Sequence, residues 1–293
     1  MFNMKDVSII AFYSFFEIKS PQIVKSEVVE FLKNFEIKGT ILIGPEGVNG
    51  TIAILKAQEK KVSQFIQSLG VQSENIKISQ FDGQRVFSHF KIKIKKEIVS
   101  SDFDLSIDEI KKGKFVEPKL WDEFIQREDV EIIDTRNDYE FKLGHFKKAI
   151  NPNIKSFKEF KSYIEERKEG LQNKKVAIYC TGGIRCEKAG PFMQRHGIDA
   201  YQLTGGVLKY FEETSGYNWN GECFVFDYRV SVDKQLNVGT NVLCYGCNEP
   251  VTPFEQKSDY YEEGFTCPSC YKKMTEKKRR SLADKREHWK RIL

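Results

Sequence analysis

Apolar residues in the first hundred positions form short runs that alternate with segments of helical spacing. The runs are rich in β-branched residues, which favours strands, and the segments between them carry apolar residues every three or four positions, which favours helices. Four strands and two helices are predicted, in the order strand 7–16, helix 21–35, strand 39–43, strand 51–55, helix 60–69 and strand 86–94. This order is typical of a ferredoxin-like (acylphosphatase-like) α+β sandwich, which we assign to residues 1–100.

Two features of this predicted domain allow more than one interpretation. The glycine-rich segment 44–50 follows a strand, as a phosphate-binding loop does, but it leads into another strand, so a hairpin turn is favoured. In the last strand, a period of two places Lys91, Lys93 and Lys95 on one face. Such a row suits contacts with RNA phosphates. It equally suits an edge strand, where lysines prevent pairing with another chain.

The pattern changes after about residue 100. Residues 101–116 are polar without a clear period and predict a linker. Strands and helices then alternate, as helix 118–127, strand 130–133, helix 157–167, strand 176–179, helix 187–196, strand 200–203 and helix 207–213. This alternation predicts a parallel α/β domain over residues 117–220. Residues 217–238 show no period and predict irregular structure.

A cysteine stands where strand 176–179 meets the following helix. Ligands bind at such strand ends in open α/β sheets. Gly182 and Gly183 allow the backbone to curl so that several N–H groups point into one concavity. The helix N-terminus adds partial positive charge, and Arg185 adds a full one, so we expect Cys180 to be a thiolate. The alternative is a buried, inert cysteine.

The string around this cysteine is Cys180-Thr181-Gly182-Gly183-Ile184-Arg185-Cys186-Glu187-Lys188-Ala189. It resembles the active loop of rhodanese domains, in particular that of the rhodanese-domain tRNA uridine hydroxylases. Residues 134–152 also resemble the rhodanese signature, and the resemblance extends over most of the chain. It includes a similar basic strand, which favours RNA binding for Lys91, Lys93 and Lys95. It implies an oxidoreductase that converts the wobble uridine of tRNA, position 34, to 5-hydroxyuridine. Molecular oxygen would be the co-substrate, and Cys180 the essential residue.

Around Cys180 and Arg185, the predicted catalytic pair, other residues are expected to shape the pocket. They are Thr181, Gly182, Gly183, Ile184, Cys186, Asp134, Arg136 and Glu140. Arg136 and Glu140 are four residues apart, and an ion pair between them would brace the loop opposite Cys180. Cys186 suits either a second reactive thiol or a small packing residue at the helix start.

Four of the seven cysteines lie near the C-terminus in two pairs of identical spacing. Cys244 and Cys247 form one pair, Cys267 and Cys270 the other, and nineteen residues separate the pairs. This is the spacing of a closed four-cysteine zinc site, which we expect to be structural. An iron–sulfur cluster and free or redox-linked thiols are the alternatives. We assign residues 221–293 to this cysteine-rich segment and its tail.

The positive charge of the chain is concentrated in that tail. Residues 272–293 contain ten Lys or Arg against three Asp or Glu, whereas the rest of the chain has 37 against 39. Basic residues beyond a zinc knuckle suit contacts with the RNA backbone, and we name as candidates Lys277, Lys278, Arg279 and Arg280. A solvated helix or frayed end is the alternative. No apolar run is long enough to span a membrane, and the start of the chain does not have the pattern of a signal peptide, so we expect a cytoplasmic protein. The family resemblance implies tRNA as its partner.

Three functions from different classes are consistent with these residues. In the leading hypothesis the Cys180 thiolate adds to C6 of the uracil ring and raises the electron density at C5, where oxygen reacts. No dinucleotide fingerprint is visible, so no nucleotide cofactor is expected. The second hypothesis is a sulfurtransferase that carries a persulfide on Cys180. The third is a non-enzymatic RNA-binding protein, against which the intact cysteine and arginine argue.

Overall fold

A computed structural model describes residues 6–81 and 87–290 of the chain. The N-terminal domain places two helices on one face of a five-stranded sheet. Its elements are β1 (Val7–Phe15), α1 (Pro21–Leu32), β2 (Ile37–Gly44), β3 (Gly47–Leu55), α2 (Glu59–Ser68), β4 (Ile76–Phe81) and β5 (Phe90–Ile94). The strand order is β4-β1-β3-β2-β5. The first four strands have the ferredoxin-like arrangement that the sequence predicted.

The structure corrects one detail of that prediction. The last strand of the ferredoxin-like unit is β4, which was not predicted because only Ile76 and Ile78 mark its alternation and it is half-exposed. The lysine-bearing strand is β5, an additional edge strand that runs parallel to β2. The start of its predicted range, including Val86, lies outside the described residues. Segment 44–50 is a hairpin, as favoured, because Gly44 pairs with Gly47 across a two-residue turn.

The two faces of this sheet differ in their neighbours. Apolar side chains such as Phe12 and Ile41 pack beneath α1 and α2. The opposite face, which we call the open face, carries Tyr13 and a row of paired residues that crosses the whole sheet. This row consists of Lys91, Thr40, Thr51, Ala11 and Lys77. The open face is turned towards the second domain, since Tyr13 hydrogen-bonds to a residue of that domain.

The segment predicted as a featureless linker contains two short elements. Ser106 begins α3 (Ile107–Ile110) with a capping box, in which its side chain accepts from the Glu109 backbone and the Glu109 carboxylate accepts in return. β6 (Lys114–Val116) then joins the sheet of the second domain beside Tyr201–Leu203. Three residues are too few to show a period, which is why the pattern did not predict this strand.

The second domain is built on a parallel sheet, as predicted. Its elements are α4 (Pro118–Gln126), β7 (Val130–Asp134), α5 (Asp138–Leu143), β8 (Gly144–Phe146), α6 (Phe160–Leu171), β9 (Lys175–Tyr179), α7 (Ile184–Arg195), β10 (Asp199–Leu203) and α8 (Gly206–Glu213). The order is β6-β10-β9-β7, and each neighbouring pair is parallel. β9 is therefore a central strand, and the loop that follows it opens at the carboxyl edge of the sheet.

The segment after α8 contains short strands where irregular structure was expected. They are β11 (Trp219–Gly221), β12 (Cys223–Phe224) and β13 (Ser231–Val232). β11 pairs with β8, and Trp219 and Cys223 are buried in the core of the second domain. The chain continues through β14 (Val242–Leu243) and β15 (Pro250–Val251) to α9 (Glu276–Lys290). Within residues 6–81 and 87–290, no helix has the length and apolar character that crossing a membrane requires.

A buried lysine fixes the N-terminal domain against α7. Lys188, only 1% exposed, places its ammonium 3.0 Å from the Glu46 carboxylate and 2.5 Å from that of Glu97. Glu46 lies in the β2–β3 turn, and its carboxylate also accepts the backbone N–H of Ile98 at 2.7 Å. One cation thus ties together the hairpin, the segment after β5 and the helix that follows the Cys180 loop.

Removing this cation should destabilise the protein. Lys188→Ala leaves two carboxylates facing each other without their partner, which costs about 3 kcal/mol for a buried pair. We expect the midpoint of thermal unfolding to fall by roughly 5 °C or more. Lys168→Ala, on the exposed side of α6, is the matched control. Equal midpoints for the two variants would contradict this role of Lys188.

Candidate active site and metal centre

The loop that carries Cys180 is shaped by close backbone approaches. It joins β9 to α7, with Gly183 at a φ of +104° just before the helix. A Cβ on Gly183 would lie 2.6 Å from the Tyr13 hydroxyl. A Cβ on Gly206, the first residue of α8, would lie 2.5 Å from the carbonyl oxygen of Cys180. At Gly206 a larger side chain would displace backbone atoms of the loop, and at Gly183 the positive φ and the Tyr13 hydroxyl both favour glycine.

The surroundings of Cys180 favour its ionised form. The side chain is 0% exposed, and its Sγ accepts the backbone N–H of Gly183 at 3.1 Å. Burial by itself would raise the pKa of this thiol. The Cys186 side-chain hydrogen bond, the Arg185 charge and backbone N–H groups of the first turn of α7 outweigh burial and lower the pKa to about 5. Cys180 is therefore a thiolate at neutral pH.

Arg185 is held by a carboxylate of α5. Its guanidinium makes two hydrogen bonds to Glu140, at 2.6 and 2.8 Å, and both side chains are buried. Burial would raise the pKa of Glu140, but the Arg185 charge and hydrogen bonds lower it. The predicted Arg136–Glu140 pair is therefore wrong. Their spacing of four residues suits partners on one helix, whereas Arg136 precedes α5 and its side chain is directed elsewhere.

Arg136 pairs with Asp134 instead. The two buried side chains meet at 2.6 Å, and Arg136 also donates to the carbonyl oxygen of Gly144 at 2.6 Å. The guanidinium lies over the rings of Tyr179 and Trp219, 5.4 and 5.0 Å from their centroids. These contacts hold the end of β7 in place.

The other predicted pocket residues have distinct surroundings. The Thr181 hydroxyl lies 3.4 Å from the Glu140 carboxylate and 3.3 Å from the carbonyl oxygen of Phe224, and both oxygens can accept its hydrogen bond. Cys186 is buried in the core, with its Sγ 3.5 Å from the Thr135 hydroxyl, and burial raises its pKa well above the ordinary value. Its thiol is among the groups that lower the pKa of Cys180. Gly182 has open space where a Cβ would be.

Three residues near Cys180 were not predicted as site residues, namely Tyr13, Glu187 and Lys77. Tyr13, on the open face, packs against the predicted pocket residue Ile184. The Tyr13 hydroxyl donates to Glu187 at 2.6 Å. Lys77, from the unpredicted β4, donates to the carbonyl oxygen of Gly205, next to the Cys180 loop. Burial lowers the pKa of Lys77 to about 8. Tyr13 and Lys77 come from the other domain, so no local pattern around Cys180 points to them.

The four C-terminal cysteines converge as their spacing predicted. All four sulfur atoms lie within 4.8 Å of one another. Cys244 and Cys270 are 3.7 Å apart, as are Cys247 and Cys267. A tetrahedral ion with metal–sulfur bonds of about 2.3 Å requires sulfur separations of about 3.8 Å. The separations are far from the roughly 2.05 Å of a disulfide, and the set fits a single metal ion.

The predicted RNA-binding residues lie on two separate surfaces. Lys91 and Lys93 are exposed on the open face, and Lys95 follows directly after β5. Lys277, Lys278 and Arg280 are exposed in the first turns of α9. Arg279 instead pairs with Glu262, at 3.0 and 2.7 Å, and so ties α9 to the four-cysteine segment.

This fold and this loop define a protein with a rhodanese domain and an intact active-loop cysteine. Residues 7–98 match the family described as UPF0176 acylphosphatase like domain, and residues 117–213 match the rhodanese-like domain family. A solved rhodanese-like domain protein from Staphylococcus aureus covers 33% of this chain and 90% of its own, with 25% identity and a TM-score of 0.28.

Similarity over nearly the whole length then specifies the family. Proteins named tRNA uridine(34) hydroxylase from Acinetobacter baumannii (strain AYE) and Teredinibacter turnerae are 39% and 38% identical to this chain. The alignments cover 92% and 97% of this chain and 86% and 89% of those proteins. The chain belongs to the tRNA uridine(34) hydroxylase family.

The contribution of Arg185 to the ionisation of Cys180 is measurable. We expect Arg185→Gln to raise the pKa of Cys180 by at least about one unit, equivalent to 1.4 kcal/mol. Ultraviolet absorbance of the thiolate, as the difference between each protein and its Cys180→Ser counterpart, follows the titration. Arg195→Gln at the other end of α7 is the control, and thermal unfolding establishes that each variant is folded. The same pKa in Arg185→Gln and Arg195→Gln would exclude an effect of the Arg185 charge.

Proposed function

We propose that the protein converts uridine 34 of tRNA to 5-hydroxyuridine with molecular oxygen as the oxygen source. The observation that carries this proposal is the buried Cys180 thiolate, with its pKa of about 5, in a chain that is about 39% identical to tRNA uridine(34) hydroxylases. Because tRNA is the substrate, we place the reaction in the cytoplasm.

The chemistry begins with nucleophilic attack. C6 of a uracil ring is electron-poor because it is conjugated to the C4 carbonyl, so a thiolate adds there. C5 then becomes electron-rich and reacts with oxygen. One oxygen atom enters the product and the other leaves as water, which takes two electrons from an external reductant. Cys180 and Arg185 are the residues we assign to catalysis, with Cys180 as the nucleophile and Arg185 as the cation that keeps it ionised.

The open face supports an RNA substrate. Its row of residues begins at the exposed Lys91 on the sheet edge and ends at Lys77, which contacts the loop beside Cys180. The lysines at the two ends of this row attract phosphates over distances of about 10 Å, within which salt screens their charge only in part. We propose that the strand containing uridine 34 lies along this row, and that the exposed lysines of α9 contact a second part of the tRNA.

We propose zinc as the ion held by the four cysteines. Four thiolates leave no position for a substrate, so the ion is structural, and it stabilises a segment that has few apolar residues of its own. Cys244, Cys247, Cys267 and Cys270 would hold it. The ion also helps to orient the start of α9, because Arg279 of that helix is bound to Glu262 of the four-cysteine segment.

The enzymatic proposal has a direct cellular test. In cells that lack this protein, expression of the wild-type chain should restore 5-hydroxyuridine or its derivatives in tRNA, measured by mass spectrometry of nucleosides. Cys180→Ser should restore none, because a hydroxyl group does not ionise near neutral pH. Cys223→Ser, at a buried cysteine whose pKa is raised to about 12 by burial, is the matched control. If cells that lack the protein have lost a thiolated base and still contain 5-hydroxyuridine, the result would favour a sulfurtransferase.

The zinc proposal is tested on purified protein. We expect one equivalent of zinc per chain, measured by elemental analysis, and a loss of most of it in Cys247→Ser. The binding free energy of a structural zinc contributes to the stability of the folded state, so the midpoint of thermal unfolding should also fall in Cys247→Ser. Cys223→Ser should retain the metal. Iron in place of zinc, or full metal content in Cys247→Ser, would refute the proposal.

A further inference from the structure

A second carboxyl group near the Cys180 loop, besides that of Glu140, has unusual surroundings. Glu187, in the first turn of α7, accepts the Tyr13 hydroxyl at 2.6 Å, and its backbone N–H binds the carbonyl oxygen of Gly183 at 3.2 Å. Gly183 is also the residue whose N–H binds the Cys180 sulfur. The Tyr13 hydroxyl, which binds the Glu187 carboxylate, lies 2.6 Å from the point where a Cβ on Gly183 would be. The carboxylate is thereby placed close to the loop that holds the Cys180 sulfur.

Glu187 differs from its neighbours on α7 in having no cation. Arg185 is bound to Glu140, and Lys188 is bound to Glu46 and Glu97. Across residues 6–81 and 87–290, no lysine or arginine forms an ion pair with Glu187. The hydroxyl of Tyr13 from β1 binds its carboxylate, and the negative charge of Cys180 acts on it.

These surroundings give the two glutamates near Cys180 opposite properties. Burial raises the pKa of Glu187 to about 7, the negative charge of Cys180 raises it too, and the Tyr13 hydrogen bond opposes both. Glu140 has a lowered pKa, since Arg185 stabilises its charge. A carboxyl group that titrates near neutral pH exchanges protons efficiently, whereas one locked in an ion pair does not.

We propose that Glu187 is the general base that removes the proton from C5 of the uracil ring, and that Tyr13 is the positioning residue that orients its carboxylate. This proposal rests on the proposed function, in which the uracil is bonded to Cys180 through C6. C5 is the atom next to that bond, so its proton must be taken up by a group close to the Cys180 sulfur.

The step is balanced without any oxidant. In the hydroxylated adduct, C5 carries both the new hydroxyl group and its original hydrogen. Glu187 takes this hydrogen as a proton, and the electrons of the C–H bond form the C5–C6 double bond. The C6–S bond breaks, and its electron pair returns to Cys180 as the thiolate. The product leaves as 5-hydroxyuridine, and Glu187 gives its proton to water.

The same proton transfer can be measured without oxygen. Under anaerobic conditions, addition of Cys180 to C6 leaves an enolate, which a solvent molecule protonates at C5 on the face where oxygen would react. Glu187 then removes the original C5 hydrogen from the opposite face and the C6–S bond breaks, so that the C5 hydrogen exchanges with solvent. We use tRNA deuterated at C5 of its uridines and measure loss of deuterium from uridine 34 by mass spectrometry. Wild-type protein should catalyse exchange, and Cys180→Ser should not.

Substitution of Glu187 decides the proposal. Exchange should be at least about 10²-fold slower in Glu187→Gln, since general acid–base catalysis contributes this much or more. Glu166→Gln, at an exposed site on α6, should match the wild type. Wild-type exchange in Glu187→Gln would overturn the role of Glu187 and leave the proposed function intact. Absence of exchange in the wild type would overturn the covalent step and this proposal together.

Tyr13 is tested by the pH profile of the same exchange. The Tyr13 hydrogen bond favours the ionised carboxylate, so Tyr13→Phe should raise the pKa of Glu187. The pH at half-maximal exchange should therefore move upwards in Tyr13→Phe, with the KM for tRNA unchanged. A changed KM with an unmoved pH profile would show that Tyr13 serves binding or packing, and would overturn its positioning role.

Discussion

Burial of a negative charge on Cys180 is the constraint on which the site depends. A sulfur anion without contact to water is unfavourable unless nearby groups compensate for its lost hydration. Here the compensation comes from the Gly183 N–H at 3.1 Å, the backbone at the start of α7, the thiol of Cys186 and the charge of Arg185. Most of these groups are backbone or lie within six residues of Cys180. The tight turn between β9 and α7 therefore creates the thiolate and cannot be altered independently of it.

Arg185 has to stabilise the negative charge of Cys180 and also to keep a single orientation. A guanidinium without a carboxylate partner would stabilise that charge most strongly, but it would adopt many orientations. The two hydrogen bonds that Arg185 donates to Glu140 give it one orientation, and the charge of Glu140 offsets part of its effect on the sulfur. Lys77, from the N-terminal domain, adds a second cation near the loop. The site thus distributes positive charge over two domains.

The sequence predicts the parts of this structure that arise from local pattern. Cys180 at the end of a strand, the four-cysteine cluster and the parallel sheet follow from residue spacing and were confirmed. Strand β4 and the three-residue β6 were missed because short, half-exposed strands have too few positions to establish a period. The Arg136–Glu140 pair was wrong because sequence distance does not determine side-chain direction outside a helix. Tyr13 is 174 residues from Glu187 along the chain, and only the packing of two domains brings them together.

The position of Glu187 also bears on the choice between hydroxylase and sulfurtransferase. Both reactions need a thiolate, so the loop alone does not separate them. A persulfide on Cys180 has no proton to lose at a neighbouring carbon, so sulfur transfer gives a titrating carboxyl group beside it no proton to remove. A uracil adduct on Cys180 is neutral at sulfur and has a proton to lose at the neighbouring carbon. A carboxyl group that titrates near pH 7 at this position therefore suits the second intermediate better than the first.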